Sequence, residues 1–502
     1  MNRRTFLKIA MISSAGVGTL LKSNITSARG IPSSVFESTP EGKCYMAPAK
    51  GVIQTSLTDL FKVGPGPSSS HTIAPLRISG DFLKTVENLP KDVMEKAQSI
   101  EVRLFGSLSA TGKGHRTDRA ILAGLLGQKP ETCDTKLMDE LQDTTRRYTT
   151  RISGKTFEVS KNIILWDKIE HNYPFVNTMI MRLVGKDGTT LFEREYYSTG
   201  GGFFQWKGQP SPTREKPVHP FSSMMEFKRL SHERNKSLHE IMMENEKAIM
   251  KVGEKEVLAH LDRVLKTMED GVTHGLTEEG LLPGPFEFHR KAKRIYERSK
   301  NANISDGFLQ KMSSYALAVS EGNAAGRLAV TAPTLGSAGT MPALVYVMKH
   351  HLKLSQDAMR KGLLAACLVG FLCKHNASIE GAEVGCQGEI GVASSMAAAM
   401  ISYANGASLD VTEVSAAIAL EHHLGMSCDP VGGFVLIPCI ERNAFGAIKS
   451  YNAYLLATNE ITSQHWEDLD RVIMAMYETG TALPARFKEM GTGGLGVTMV
   501  DC

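Results

Sequence analysis

Cys386 lies in GAEVGCQGEIG, Cys428 in GMSCDPVGG and Cys439 in LIPCIERNA, and Cys502 follows GGLGVTMVD. Small and turn-forming neighbours let the backbone bend around a bound object and aim N–H groups at it. Thiolates are the usual ligands of iron–sulfur clusters, and a cysteine on a mobile tail could serve as a ligand that comes off. A cluster with one open iron is a Lewis acid rather than an electron carrier. Taken singly, each cysteine is more often a small buried hydrophobe; the set of three with their flanks points to ligation. The spacing is neither that of a ferredoxin nor that of a zinc ribbon, so spacing leaves the metal open between iron–sulfur and structural zinc. Cys44, Cys133, Cys367 and Cys373 lack such a setting, and Cys367 and Cys373 fall on an apolar helical stretch expected in the core.

Two histidines stand in similar loops. GPGPSSSHT at 64–72 puts Ser69, Ser70 and His71 before a helix, where serines cap the first turn and the exposed N–H groups attract a carboxylate. A plain capping loop explains the serines equally well. GSLSATGKGHRTDRA at 106–120 sets Lys113 and His115 on a glycine-rich turn ahead of a second helix, although a lone loop histidine is more often a solvated side chain. TAPTLGSAGTMP at 331–342 offers a third loop of backbone N–H groups, or simply a tight helix connection.

These loops need elements to hold them. Residues 48–206 mix β-type runs (IEVRLFG, KNIILWD, NTMIMRLVG, TTLFEREYYSTGG) with the helical TDRAILAGLLG and end near the triple glycine 200–202. Residues 207–222 are rich in proline and polar residues and read as a linker. From 223 to 502 the pattern is helical, first charged and amphipathic, then alanine-rich. The expected class is α+β, an α/β substrate-binding-type domain followed by a larger all-α catalytic domain.

With 502 residues, 42% hydrophobic, 22% charged and a net charge of +4, the chain has the composition of a globular protein and no charge argument for nucleic acid. The apolar segment near 362–373 is interrupted and followed by Lys374 and His375, so no membrane span is expected. Residues 1–30 read as a targeting leader outside the fold, basic, acid-free and carrying RRTFLK. This hexapeptide resembles a twin-arginine export signal. A functional export leader implies the periplasm; an organelle presequence or an inert extension is the alternative, and without export the expected location is the cytoplasm.

GPSSSHT, GSLSATGKGH, YSTGGGF, GAEVGCQGEIG, CDPVGG, PCIERNAFGA and GGLGVTMVDC, in this order, closely resemble the bacterial iron–sulfur L-serine dehydratases, which work without pyridoxal phosphate. The resemblance runs from about Thr55 to Cys502. It implies a [4Fe–4S] cluster on Cys386, Cys428 and Cys439, with Cys502 capping the open iron until substrate displaces it. It further implies L-serine as substrate, a homodimer, and an active site between the two domains. Within that frame His115 is the expected base for the α-proton, His71 a partner of the substrate's carboxylate or hydroxyl, and Ser69, Ser70 and Lys113 the substrate contacts. Leu335 stands where the family pattern has Asn, Glu380 where a small polar residue is usual, and His423 where Asn is expected. The alternatives are another hydroxy-amino-acid substrate or a non-catalytic small-molecule sensor. A pyridoxal-phosphate enzyme would need a Schiff-base lysine and a phosphate-cradling loop, and no lysine lies in such a setting.

Overall fold

Strand-forming and helix-forming residues segregate along the chain as the sequence predicts. The computed structural model describes residues 51–209 and 214–499, all within one compact unit. The leader, Cys44 and Cys502 lie outside the described residues.

In the first part, β2 (Ala97–Leu104), β5 (Ile164–Trp166), β6 (Thr178–Gly185), β7 (Thr190–Ser198) and β8 (Phe204–Trp206) form a mixed sheet of order β5-β2-β6-β7-β8. Only the β2–β5 pair is parallel. Strands β3 (Tyr148–Ile152) and β4 (Lys155–Val159) make a separate hairpin. Helices α1 (Ala74–Glu87) and α3 (Thr117–Leu125) pack together, and α2 (Ser107–Thr111) precedes α3. Leu76, Phe82, Val102, Leu104, Ile121 and Met181 are buried in the core between sheet and helices. Each such side chain contributes roughly 2 kcal/mol on removal from water.

The second part is helical: α4 (Met224–Arg234), α5 (Leu238–Met250), α6 (Glu254–Gly275), α7 (Ile304–Ala324), α8 (Thr340–His350), α9 (Gln356–Asn376), α10 (Val392–Ala404), α11 (Leu409–Glu421), α12 (Cys439–Asn459) and α13 (Leu469–Ala482). Ser223, Asn303, Ser355, Ser408 and Asp468 accept backbone N–H bonds at the starts of α4, α7, α9, α11 and α13, each worth about 1 kcal/mol. The alanine-rich α10 is buried along almost its whole length against α9, α11 and α12, because small side chains let four helices approach closely. Cys367 and Cys373 are buried in this core. No helix among the described residues is long and apolar enough to cross a membrane.

The two parts interlock. Short strands β1 (Val63–Pro65) and β9 (Leu328–Val330) pair antiparallel, so the helical part contributes one strand to a ladder with the first. Leu57, Leu60, Phe61 and Ile73 pack into the helical core rather than the sheet core.

Candidate active site

Two wide, π-type helical turns deliver the site. Ser69–Ile73 runs into α1, and Gln387–Gly391 runs into α10. Such turns are frequent where a helix must present unusual side chains. Ser68 closes the first, its hydroxyl accepting from His71 N at 3.2 Å.

His71 and His115 are buried side by side, ring centroids 4.5 Å apart. His115 sits on the turn between α2 and α3, and Gly114 presses that turn onto the loop after Cys428. A Cβ on Gly114 would lie 2.4 Å from Gly433 O, so only glycine permits the approach. His115 Nδ1 is 2.9 Å from Thr111 O. A carbonyl only accepts, so Nδ1 carries the hydrogen and Nε2 keeps its lone pair. Ser107 Oγ donates to Glu489 O (2.7 Å) and Thr111 Oγ1 donates to Ser107 O (3.0 Å). With both hydroxyl hydrogens committed, His71 Nε2 is the donor to these oxygens at 3.1 and 3.2 Å. His71 Nδ1 then accepts from Ser70 Oγ at 2.8 Å. Burial, reinforced by the neighbouring His115, holds His71 well below the ordinary imidazole range, and burial lowers His115 to about 4. Both rings are therefore neutral near pH 7.

Glu489 closes this cluster. Its Oε1 is 3.6 Å from His71 Nδ1 and 3.9 Å from His115 Nε2. Its backbone is left-handed, φ 59°, and its N–H bonds Cys428 O at 2.6 Å, while Cys428 N bonds Phe487 O at 2.7 Å. Glu489 Oε2 is buried with no hydrogen-bond partner among the described residues. Burial and the nearby Glu389, Glu380 and Cys386 push its carboxyl well above the usual range, opposed by the Ser70 hydroxyl.

Across from the histidines, Glu389 Oε2 lies 3.9 Å from both Cys386 Sγ and Cys428 Sγ. Glu389 Oε1 accepts from Thr334 Oγ1 at 2.7 Å. A Cβ on Gly381 would lie 2.9 Å from Glu389 Oε2 and 3.2 Å from Cys428 Sγ, so glycine leaves the space these groups use. Cys439 opens α12, and Arg442 one turn later bonds Ser427 O (2.7 Å) and Asp429 Oδ1 (3.3 Å). Contact with the Cys428 thiol favours Cys386 as thiolate, and the same contact with burial pushes Cys428 up. Burial, then Cys386, pushes Cys439 up. Burial disfavours the Arg442 charge, yet the three sulfurs raise its pKa, making it the cation that compensates them. Two soft sulfurs and a carboxylate within 4.8 Å of one another suit a thiolate-held metal.

The family model described as serine dehydratase beta chain matches residues 56–209, and that described as serine dehydratase alpha chain matches residues 233–496. The chain belongs to the serine dehydratase family. It is 38% identical to an L-serine dehydratase of Haemophilus influenzae and 38% identical to one of Streptomyces coelicolor, and 37% identical to L-serine dehydratase 2 of Escherichia coli. Each comparison covers 89% of this chain and 99% of the relative.

Of the residues expected in a serine dehydratase site, the structure brings His71, His115 and Ser70 together, with Ser69 buried in the same turn. It brings Cys386 and Cys428 together around Glu389. Lys113 is exposed, its ammonium 5.5 Å from the Trp166 ring centroid. Cys502 lies outside the described residues, but the preceding GGLG turn is tied to the cysteine loop, Leu495 N donating to Asp429 Oδ2 at 2.7 Å. Leu335 points into the helical core, while its neighbours Thr334 and Gly336 face Glu389. Glu380 is buried, accepts from Asn177 Nδ2 at 2.6 Å and is pushed by burial to about 8. His423 is a packed core residue, its Nδ1 bonding Ala419 O at 2.7 Å.

Sequence reasoning passed over Glu389, Arg442 and Glu489. The first two stand inside motifs it had singled out, GCQGEIG and PCIERNAFGA, where a charge among small or apolar residues was the available signal. Glu489 had none, since its partners are far away in the chain.

Proposed function

We propose that this chain dehydrates L-serine to pyruvate and ammonia through a [4Fe–4S] cluster held by Cys386, Cys428 and Cys439. The observation that carries the reading is a neutral imidazole with a free lone pair, His115 Nε2, in a buried site that Glu489 links to the cysteine loop. Losing water from serine breaks a Cβ–O bond and a Cα–H bond. The cluster would supply a Lewis acid for the hydroxyl, a poor leaving group by itself.

His115 Nε2 takes the α-proton, a task that needs reach and a neutral ring. The Thr111 carbonyl fixes the tautomer that makes this possible. Ser69 and Ser70 contact substrate oxygens, and His71 on the same turn joins them by exchanging its Nε2–H bond to Ser107 and Thr111 for one to the substrate. The resulting aminoacrylate tautomerises to an imine, which water hydrolyses to pyruvate and ammonia outside the protein's control. The division into domains at 48–206 and 223–502 follows the same reading, each giving one half of the site, and a homodimer is the expected assembly.

Glu380 favours one alternative. A buried carboxyl beside the site, where the family pattern has a small polar residue, would favour a different hydroxy amino acid. The test is to load the protein anaerobically with iron and sulfide and to assay keto acid and ammonia from L-serine and L-threonine, with and without borohydride treatment. Pyruvate from L-serine that survives borohydride is the expected result. Turnover of L-threonine alone would move the reading to the alternative, and no turnover of either would sink it.

A further inference from the structure

The site holds two buried carboxyl groups, Glu380 and Glu489, and a part-buried one, Glu389, which faces the part-buried guanidinium of Arg442. Two of them are engaged: Glu380 by Asn177, and Glu389 by Thr334 on one oxygen and two sulfurs on the other. Glu489 differs. The neighbouring Ser70 hydroxyl gives its hydrogen to His71 Nδ1, and Glu489 Oε2 is buried with no hydrogen-bond partner among the described residues, although its backbone is anchored at both N–H and C=O. A buried polar atom left unpaired costs about 1–3 kcal/mol, and Oε2 is the position on this carboxyl that can take a donor from outside the protein.

We infer that Glu489 Oε2 receives the α-ammonium group of the amino-acid substrate and so selects amino acids over hydroxy acids. The inference rests on the dehydratase reading above and adds a substrate-binding residue to it. The placement is chemically consistent with the base. The ammonium and the α-hydrogen share one carbon, and Glu489 Oε1 is 3.9 Å from His115 Nε2. An ammonium held on Glu489 therefore sets the neighbouring α C–H against the imidazole lone pair. The added positive charge also offsets a cluster rich in buried acids, where local dielectric is low and pairing matters most.

L-alanine and L-lactate differ only in ammonium against hydroxyl, and neither has a β-hydroxyl to lose. Calorimetric titration of the anaerobic, metal-loaded protein with each ligand tests the assignment. Wild type binds L-alanine more tightly than L-lactate. Glu489→Gln, which keeps the shape, weakens L-alanine about tenfold or more while leaving L-lactate within about threefold. Glu489→Asp, which keeps the charge, retains a preference for L-alanine. Unchanged alanine binding in Glu489→Gln, or equal weakening of both ligands, overturns the inference. If wild type fails to dehydrate L-serine yet shows an alanine preference that Glu489→Gln abolishes, the dehydratase reading falls and the ammonium assignment stands.

Discussion

The histidine side and the cysteine side of this site are built on the same plan and finished differently. Each starts from a π-type turn feeding a helix, and each places a carboxyl between two reactive side chains: the buried Glu489 between His71 and His115, the part-buried Glu389 between Cys386 and Cys428. Around the histidines, hydroxyls and carbonyls fix the tautomers of both rings. Around the cysteines, glycines leave space, and Arg442, held by Ser427 O and Asp429, supplies charge and a hydrogen bond to Cys386. Moving a proton requires determined hydrogen positions; holding a metal requires soft donors, room and charge compensation.

The largest effect separates the two sides outright. Cys386→Ser removes a soft donor and is expected to abolish iron uptake and lower turnover at least about a thousandfold, read by iron content and pyruvate assay on one preparation. His115→Gln should retain full iron and lower kcat by about 10²–10⁴, the range of a lost general base. Iron lost in His115→Gln, or retained in Cys386→Ser, would break the division of labour.

A smaller effect sharpens it. Gly381→Ala places a methyl 2.9 Å from Glu389 Oε2 and 3.2 Å from Cys428 Sγ, and should weaken metal binding about tenfold with the fold intact, measured by chelator competition.

The smallest concerns a residue on neither side. Burial lowers His423 to about 4 from its ordinary 6.5, so between these values the unfolded chain takes up the proton that the folded chain refuses. Stability is then full above about 6.5 and falls as pH drops towards 4, by about 2 kcal/mol from this group at pH 5. His423→Asn should flatten that loss in thermal melts. An unchanged pH slope would assign it to other histidines, such as the part-buried His260, also lowered to about 4.

Much of the molecule was legible because its signals are local. The helical runs of the second part and the strands around IEVRLFG and NTMIMRLVG follow periodicity, and His71, His115, Cys386 and Cys428 declare themselves by standing in glycine-rich turns. What escaped is non-local. The β1–β9 ladder joins two three-residue segments too short to show alternation, and Leu57 and Leu60 gave no sign that they pack with the helices rather than the sheet. Glu489 reads as one more charged residue of a polar tail until Cys428 and Ser107 fix its backbone. The odd residue Leu335 attracted notice, yet its side chain goes to the core while Thr334 beside it holds Glu389.

The measurement that tests the central claim most directly is pyruvate formation from L-serine plotted against bound iron and acid-labile sulfide across partially reconstituted anaerobic preparations. A cluster-dependent dehydratase gives a line through the origin, and air exposure lowers cluster content and activity together. Pyruvate made by metal-free protein, or by protein loaded with zinc alone, would contradict it.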